Sequence, residues 1–248
     1  MSDSEPVPEQ DIARLQAELQ DARAALGDFA YAVSHDLRAS LRHIMSYASL
    51  LREEAGPVLP GETLAYLETI HGASRTLGQQ IDGLMAWSLL DRTELRVREL
   101  DAGALIAEAQ AQLGELCAGR RIDWRIQEGL PVLFGDPALL RQLFVHLLSN
   151  ALKFTRGRAV AEISVQAQGV PEGWVTYTVE DNGAGFDPVR QHKLFHVFQR
   201  LHGSSQFEGL GLGLALSRKI VERHGGSIRA EGAPDAGCRV SFTLLRVA

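Results

Sequence analysis

The stretch AVSHDLRASLR, residues 32–42, sets His35 between Ser34 and Asp36. Three roles are open to such a histidine: a solvated surface residue, a metal ligand, or a nucleophile that accepts a group on a ring nitrogen. Farther along, LLSNALKFT (147–155) places Asn150 and Lys153 three residues apart, so both project to one side of a helix. An amide oxygen suits a hard cation such as Mg²⁺, and an ammonium one turn on suits a phosphate. Taken alone, the pair is better read as an exposed, solvated helix end. VEDNGAGFD (179–187) runs from an acidic residue into a glycine turn. There Asp181 can accept a hydrogen bond from an exocyclic amine such as adenine carries, while Gly183 and Gly185 allow backbone conformations closed to other residues. Asn-Gly is also among the commonest plain turns. EGLGLGLAL (208–216) sets Gly209, Gly211 and Gly213 just ahead of a helix, where free amides and the helix dipole can hold phosphate oxygens. It is not a P-loop, because the GK[ST] ending is missing. Nor is it a dinucleotide fingerprint, because no strand leads directly into it and no βαβ crossover follows.

Helices and strands must position these groups. Ile12, Leu15, Leu19, Ala22, Leu26, Phe29 and Val33 follow a three-four alternation, a coiled-coil heptad. The apolar series continues through Leu37, Leu41, Ile44, Ala48 and Leu51, with successive steps of four that let the seam drift around the helix. His35 lies two residues from both Val33 and Leu37, roughly 200° around at about 3.6 residues per turn, and so points away from the seam. AGPVLPG (55–61) must break the helix. A second helix then repeats the spacing with Leu67, Ile70, Ser74, Leu77, Ile81, Leu84 and Ser88. A lone hairpin leaves part of each apolar face wet, so pairing with a second copy into a four-helix bundle, a homodimer, is expected.

From about Thr93 the texture changes to short strands and shorter helices, an α+β pattern with a boundary near residues 92–98. Asp101 caps a helix to about Leu116, RIDWRIQ reads as a strand, and Asp136-Pro137 opens a helix to Phe154. AEISVQAQ and WVTYTVE alternate with a period of two and read as an antiparallel pair across GVPEG. A helix from about Gly211 to His224 stops at Gly225-Gly226, and SIRAEG with CRVSFTLL forms a last hairpin. His192 and His196 are expected four apart on a helix, as zinc ligands can be, but lack a neighbouring glutamate and an evident third ligand. They read as helix surface or lid packing.

With 45% hydrophobic and 23% charged residues, 248 in all, the chain is long enough for one large or two small domains. A net charge of -6 argues against a nucleic-acid partner, which demands clustered Lys and Arg. The two cysteines, Cys117 and Cys238, have neither disulfide-framework nor zinc spacing. MSDSEPVPEQD lacks the basic start and apolar core of a signal peptide, and no apolar run is long enough to span a bilayer. A cytoplasmic protein without a membrane span is expected.

Asn150, the Asp181 turn and the Gly209 loop occur in the order and spacing of one nucleotide-binding fold. On that ground the chain resembles a sensor histidine kinase of bacterial two-component systems. In that family a dimerising, histidine-bearing hairpin precedes an α/β-sandwich ATP-binding domain of the gyrase and MutL type. The resemblance covers about Asp28 to the C-terminus. SHDLR resembles the H box, NALKF the N box, DNGAGF the first glycine box, LFHVFQRLH the F box and GLGLGLAL the second glycine box. The run FQRLHGSSQFEGLGLGLALSRKIVERHGG is similar to phytochrome-type and PAS-linked kinases.

The resemblance implies four segments. These are a disordered stretch at 1–11, a coiled-coil signalling helix at 12–28, a dimerisation and phosphotransfer domain at 29–92, and a catalytic domain at 93–248. It implies His35 as the phosphoryl acceptor, aided by Asp36, and Mg²⁺ held by Asn150. ATP would be bound by Asn150, Lys153, Asp181, Gly183, Gly185, Phe195, Phe198, Gly209, Gly211 and Gly213. The phosphoryl group would pass to an aspartate on the receiver domain of a response regulator, and an upstream sensor would supply the signal. Two departures stand out: Ser40 replaces the proline usual five residues after the histidine, and His146 replaces the asparagine that usually opens the N box. Two rivals remain, a non-catalytic phosphotransfer or scaffold protein with a degenerate nucleotide domain, and a gyrase-like or chaperone-like ATPase. The latter has no use for an exposed histidine on a dimerising hairpin.

Overall fold

The N-terminal third of the chain is two long helices, α1 (Glu9–Ala55) and α2 (Gly61–Arg92), joined by a short 3₁₀ turn at Gly56–Val58. The computed structural model describes residues 9–170, 173–203 and 206–245. Residues 1–8, most of the stretch expected to be disordered, lie outside the described residues, as do the side chains of Ile12, Leu15 and Leu19. The helices run antiparallel, as Arg38 Nε to Asp82 Oδ1 at 3.1 Å, Arg52 to Glu68 at 3.3 Å and Ser88 Oγ to the Gly27 carbonyl at 2.6 Å establish.

Burial divides the apolar series into two stripes. Gly27, Ser34, Leu41 and Ala48 on α1 meet Leu67, Ser74, Ile81 and Ser88 on α2, all buried and each seven residues from the next. Leu41, Ile81 and Met85 form the centre of this seam, with Met45 packed against them. The alternate members Val33, Leu37, Ile44, Leu51, Ile70 and Leu77 stay exposed. Small residues in the inner stripe let the backbones approach closely. The outer stripe finds no cover within one hairpin, because each helix meets only one neighbour.

The chain divides into two compact units between Thr93 and Glu94. In the second, β1 (Arg98–Leu100) is followed by α3 (Ala102–Gln112), α4 (Gly114–Cys117), β2 (Ile122–Ile126), β3 (Leu133–Gly135) and α5 (Pro137–Phe154). Then come β4 (Ala161–Val170), β5 (Trp174–Asp181), α6 (Gly213–Arg223), β6 (Ile228–Gly232) and β7 (Cys238–Leu245). Five strands form one mixed sheet in the order β2-β4-β5-β7-β6, with β2 parallel to β4 and the other pairs antiparallel. β1 and β3 make a separate antiparallel ribbon. The α/β layering follows from periodicity. Ile163 and Val165 of β4, Val175, Tyr177 and Val179 of β5, and Phe242 and Leu244 of β7 turn one sheet face inward, against the apolar sides of α3, α5 and α6. At the centre Tyr177 stacks on Phe242 at 5.6 Å, and Phe144 of α5 meets both rings edge-on.

Four details depart from the sequence expectations. The helix capped by Asp101 stops at Gln112, and Gly114 begins a separate short turn. The helix expected from Gly211 starts at Gly213, because Gly209 and Gly211 hold positive φ values outside helical space. The stretch carrying His192 and His196 is no α-helix. A 3₁₀ segment, Pro188–Lys193, contains the first, while the second lies in the turns beyond. The ribbon of β1 and β3 was not anticipated, since three-residue strands carry too little alternation to read.

Candidate functional site

The site is built on α5, whose start is fixed from several directions. Asp136 Oδ1 accepts from the N–H groups of Ala138 and Leu139 at 3.0 and 3.2 Å, and Oδ2 accepts from Arg96 N–H at 3.1 Å. Burial alone would raise the Asp136 carboxyl, but these three N–H donors hold it below the ordinary carboxylate range. The Asp136 N–H donates to Nε2 of buried His224 at 2.9 Å, and His224 Nδ1 lies 2.7 Å from the Ile220 carbonyl. One nitrogen accepts and the other donates, so His224 is neutral, and burial lowers its pKa accordingly. This bond ties the start of α5 to the end of α6. With its apolar side against the sheet, α5 presents His146, Asn150 and Lys153 to a cavity of about 390 Å³.

The apolar part of the cavity includes Val179, Phe186, Leu216 and Val240, with Asp181 as the acid among them. Asp181 Oδ1 accepts from the Gly183 N–H at 2.8 Å. Burial raises its carboxyl to about 6, opposed by the N–H groups of Gly183 and Cys238. The adjoining Cys238 thiol is pushed up to about 12, first by burial and then by the Asp181 charge. A carboxylate against apolar walls is the arrangement that singles out a flat heterocycle with an exocyclic amine.

The opposite part is cationic and glycine-rich. Lys153, Arg200, Gly209, Gly211 and Gly213 line it. Lys153 is lowered to about 8, first by burial and then by the neighbouring charges of Arg200 and Arg156. Its Nζ sits 4.2 Å from the Phe154 ring centroid. At Gly211, φ is +72° and a Cβ would fall 2.5 Å from the Gln199 carbonyl oxygen, so only glycine fits. A Cβ at Gly213 would lie 3.8 Å from Asn150 Nδ2, which places the start of α6 beside the α5 amide. Glu208 pairs with Arg156, and Arg200 donates to the Phe207 carbonyl, both pinning the N-terminal flank of this loop.

Seven of the expected residues thus share one cavity: Asn150, Lys153, Asp181, Gly185, Gly209, Gly211 and Gly213. Gly183 lies outside the lining and acts through its N–H on Asp181. Phe195 and Phe198 do not line the cavity. Phe198 is 39% exposed at φ +62°, and its contribution is a main-chain bond from its N–H to the Gly211 carbonyl. An aromatic cluster in the wall is instead formed by Phe154, His202 and Phe207, with ring centroids 5.0 to 5.4 Å apart. These three and Arg200 escaped the sequence reading. Only the tertiary fold brings Phe154 at the end of α5 against a loop some fifty residues on. His146 lines the cavity too; burial lowers it to about 4, and its Nδ1 has no partner. Among the described residues no group of three or more His, Cys, Asp or Glu could hold a metal ion.

In the hairpin, the His35 and Asp36 side chains are 66% and 86% exposed, with His35 Nδ1 at 3.2 Å from Asp36 Oδ1. α1 continues unbroken through Ser40, whose hydroxyl lies 3.5 Å from the Asp36 carbonyl, at the limit of a hydrogen bond.

Residues 135–247 match the family described as histidine kinase-, DNA gyrase B-, and HSP90-like ATPase, and residues 25–93 match the His Kinase A (phospho-acceptor) domain. The chain therefore carries a phospho-acceptor domain followed by an ATPase domain, the two domains of a histidine kinase. It is 31% identical over 238 residues to Cyanobacterial phytochrome B of Nostoc sp., covering 96% of this chain and 32% of that protein. To the Circadian input-output histidine kinase CikA of Synechococcus elongatus it is 32% identical over 246 residues, covering 95% and 32%. The chain thus spans about a third of the length of these relatives. The fold is similar to full-length ShkA solved in complex with AMPPNP, with a TM-score of 0.66 at 23% identity over 89% of this chain and 46% of that one.

Proposed function

We propose that this chain is an ATP-dependent protein histidine kinase that phosphorylates its own His35 and passes the phosphoryl group to an aspartate of a response regulator. One observation carries the reading: a cavity with an acid at its apolar end and a lysine and glycine loop at its polar end shares a chain with an exposed, carboxylate-paired histidine. In the proposed reaction Asp36 accepts the Nδ1–H of His35, leaving the lone pair on Nε2. Nε2 attacks the γ-phosphorus, the N–P bond forms, and the bond to the β-phosphate oxygen breaks with its electrons leaving on ADP. The carboxylate of Asp36 stabilises the imidazolium as it develops. Asp181 accepts from the adenine amine, Lys153 neutralises phosphate charge, and the loop amides near Gly211 receive phosphate oxygens.

The donor set fits Mg²⁺ as part of a metal–nucleotide complex. Mg²⁺ takes few protein ligands and completes its shell with phosphate and water, so the single amide oxygen of Asn150 suffices to hold it. When bound it supplies further neutralisation of the triphosphate. A second copy covers the exposed stripe of Val33, Leu37, Ile44, Ile70 and Leu77, making a homodimer. Since the reaction draws on ATP, it belongs in the cytoplasm; among the described residues no helix is long and apolar enough to cross a membrane. The retained cavity supports a catalytic domain over a degenerate scaffold.

Incubation with γ-labelled ATP and Mg²⁺ tests this. The expected outcome is an acid-labile, base-stable label that His35→Gln abolishes while nucleotide binding persists, and that Asn150→Ala also abolishes. Label persisting in His35→Gln rules out His35 as the acceptor.

A further inference from the structure

Arg158 follows α5 and does not line the cavity, yet its guanidinium reaches three main-chain carbonyls. Nε donates to the Asn182 oxygen at 2.7 Å, and Nη2 donates to the Gly183 and Asp235 oxygens at 2.9 and 2.7 Å. The carbonyls come from two turns, the one that follows Asp181 and the one that joins β6 to β7. The turns are also joined directly, since the Asp235 N–H donates to the Ala184 carbonyl at 2.8 Å. At Gly185, φ is +61° and a Cβ would fall 1.8 Å from the Ala233 oxygen, so the two backbones touch.

One peptide group links Arg158 to the carboxylate. The Asn182 carbonyl and the Gly183 N–H belong to the same plane. Arg158 holds its oxygen, and its N–H donates to Asp181 Oδ1 at 2.8 Å. A cation at the oxygen polarises the group and strengthens the N–H as a donor. Removing the cation leaves three converging carbonyls without their shared donor and frees the plane to rotate. The carboxylate then loses the Gly183 N–H, one of the two main-chain donors that set its direction, the other being the N–H of Cys238.

We propose that Arg158 is the positioning residue for base recognition, holding the Asn182–Gly183 peptide so that its N–H keeps the Asp181 carboxylate directed at the exocyclic amine of adenine. This rests on the reading of Asp181 as the acceptor for that amine. The phosphate end, built from Lys153 and the Gly209 to Gly213 loop, has no part in it.

Calorimetric titration of the full chain with ADP, with IDP, which lacks the exocyclic amine, and with tripolyphosphate separates the two claims. Unmodified protein is expected to prefer ADP to IDP; no preference overturns the reading of Asp181 and the proposal with it. Arg158→Ala is expected to weaken ADP binding about tenfold, leaving IDP and tripolyphosphate unchanged. Millimolar methylguanidinium is expected to restore ADP affinity in this variant where methylammonium does not. Arg158→Lys, which keeps the charge but not the fork, is expected to fall between, and keeps the test open should the alanine variant not fold. With the preference of the unmodified protein intact, unchanged ADP affinity, an equal loss for all three ligands, or no rescue each overturns the role of Arg158 alone.

Discussion

Asp181 and Lys153 are displaced in opposite directions by the same cause, burial in the cavity wall, the acid up to about 6 and the base down to about 8. Nucleotide binding needs the charged form of each. Protonation of Asp181 removes the acceptor for the base amine, so affinity is expected to fall as pH drops below about 6; loss of the Lys153 proton removes a phosphate partner, so it is expected to fall again above about 8. A plateau between those limits follows. Calorimetry across this range checks it, with Asp181→Asn expected to flatten the acid limb and Lys153→Arg the alkaline one. An acid limb that survives Asp181→Asn assigns it to another group. At this scale the polar residues were legible and their supports were not. Asn150, Lys153 and Asp181 announce themselves by type and spacing, whereas Arg158 and Arg200 bond to carbonyls that carry no sequence signal. Phe195 and Phe198 fall outside the cavity lining, where the chain folds as turns, and turns do not set side-chain direction by period.

Caps and periodicity made α5 and the strand pairs β4–β5 and β6–β7 readable, because each is specified within its own residues. The parallel pairing of β2 with β4 and the ribbon of β1 with β3 depend on distant partners and were not. The bond between His224 and Asp136 N–H is of the second kind, and it couples two elements that carry the site. Asp136→Ala removes the cap of α5 and should lower stability of the C-terminal unit by about 1–2 kcal/mol. His224→Ala strands a buried N–H and should cost about 1–3 kcal/mol. His224 is a base with a depressed folded pKa, so its contribution is present above its unfolded value near 6.5 and is lost as pH falls from there toward the folded one. Urea unfolding at neutral and mildly acidic pH measures both, and His224→Ala should erase part of the acid sensitivity.

For the hairpin as a whole, the three-four alternation established two amphipathic helices but could not say which of two stripes faces inward, since members of both recur every seven residues. The structure separates Ile81, 4% exposed in the inner seam, from Leu77, 43% exposed on the outer stripe. Their substitutions should therefore fail differently. A glutamate at Ile81 puts a charge among Leu41, Met85 and Met45 and should destabilise the hairpin itself by about 3 kcal/mol or more, because nothing there can pair with it. A glutamate at Leu77 leaves that cluster intact and meets only the face proposed to pack against a second copy. Leu77→Glu should thus give a monomer by light scattering with its helical circular dichroism largely kept, and Ile81→Glu should lose helicity along with assembly. A Leu77→Glu protein that remains a dimer would remove the outer stripe from the interface, whatever then joins the two copies.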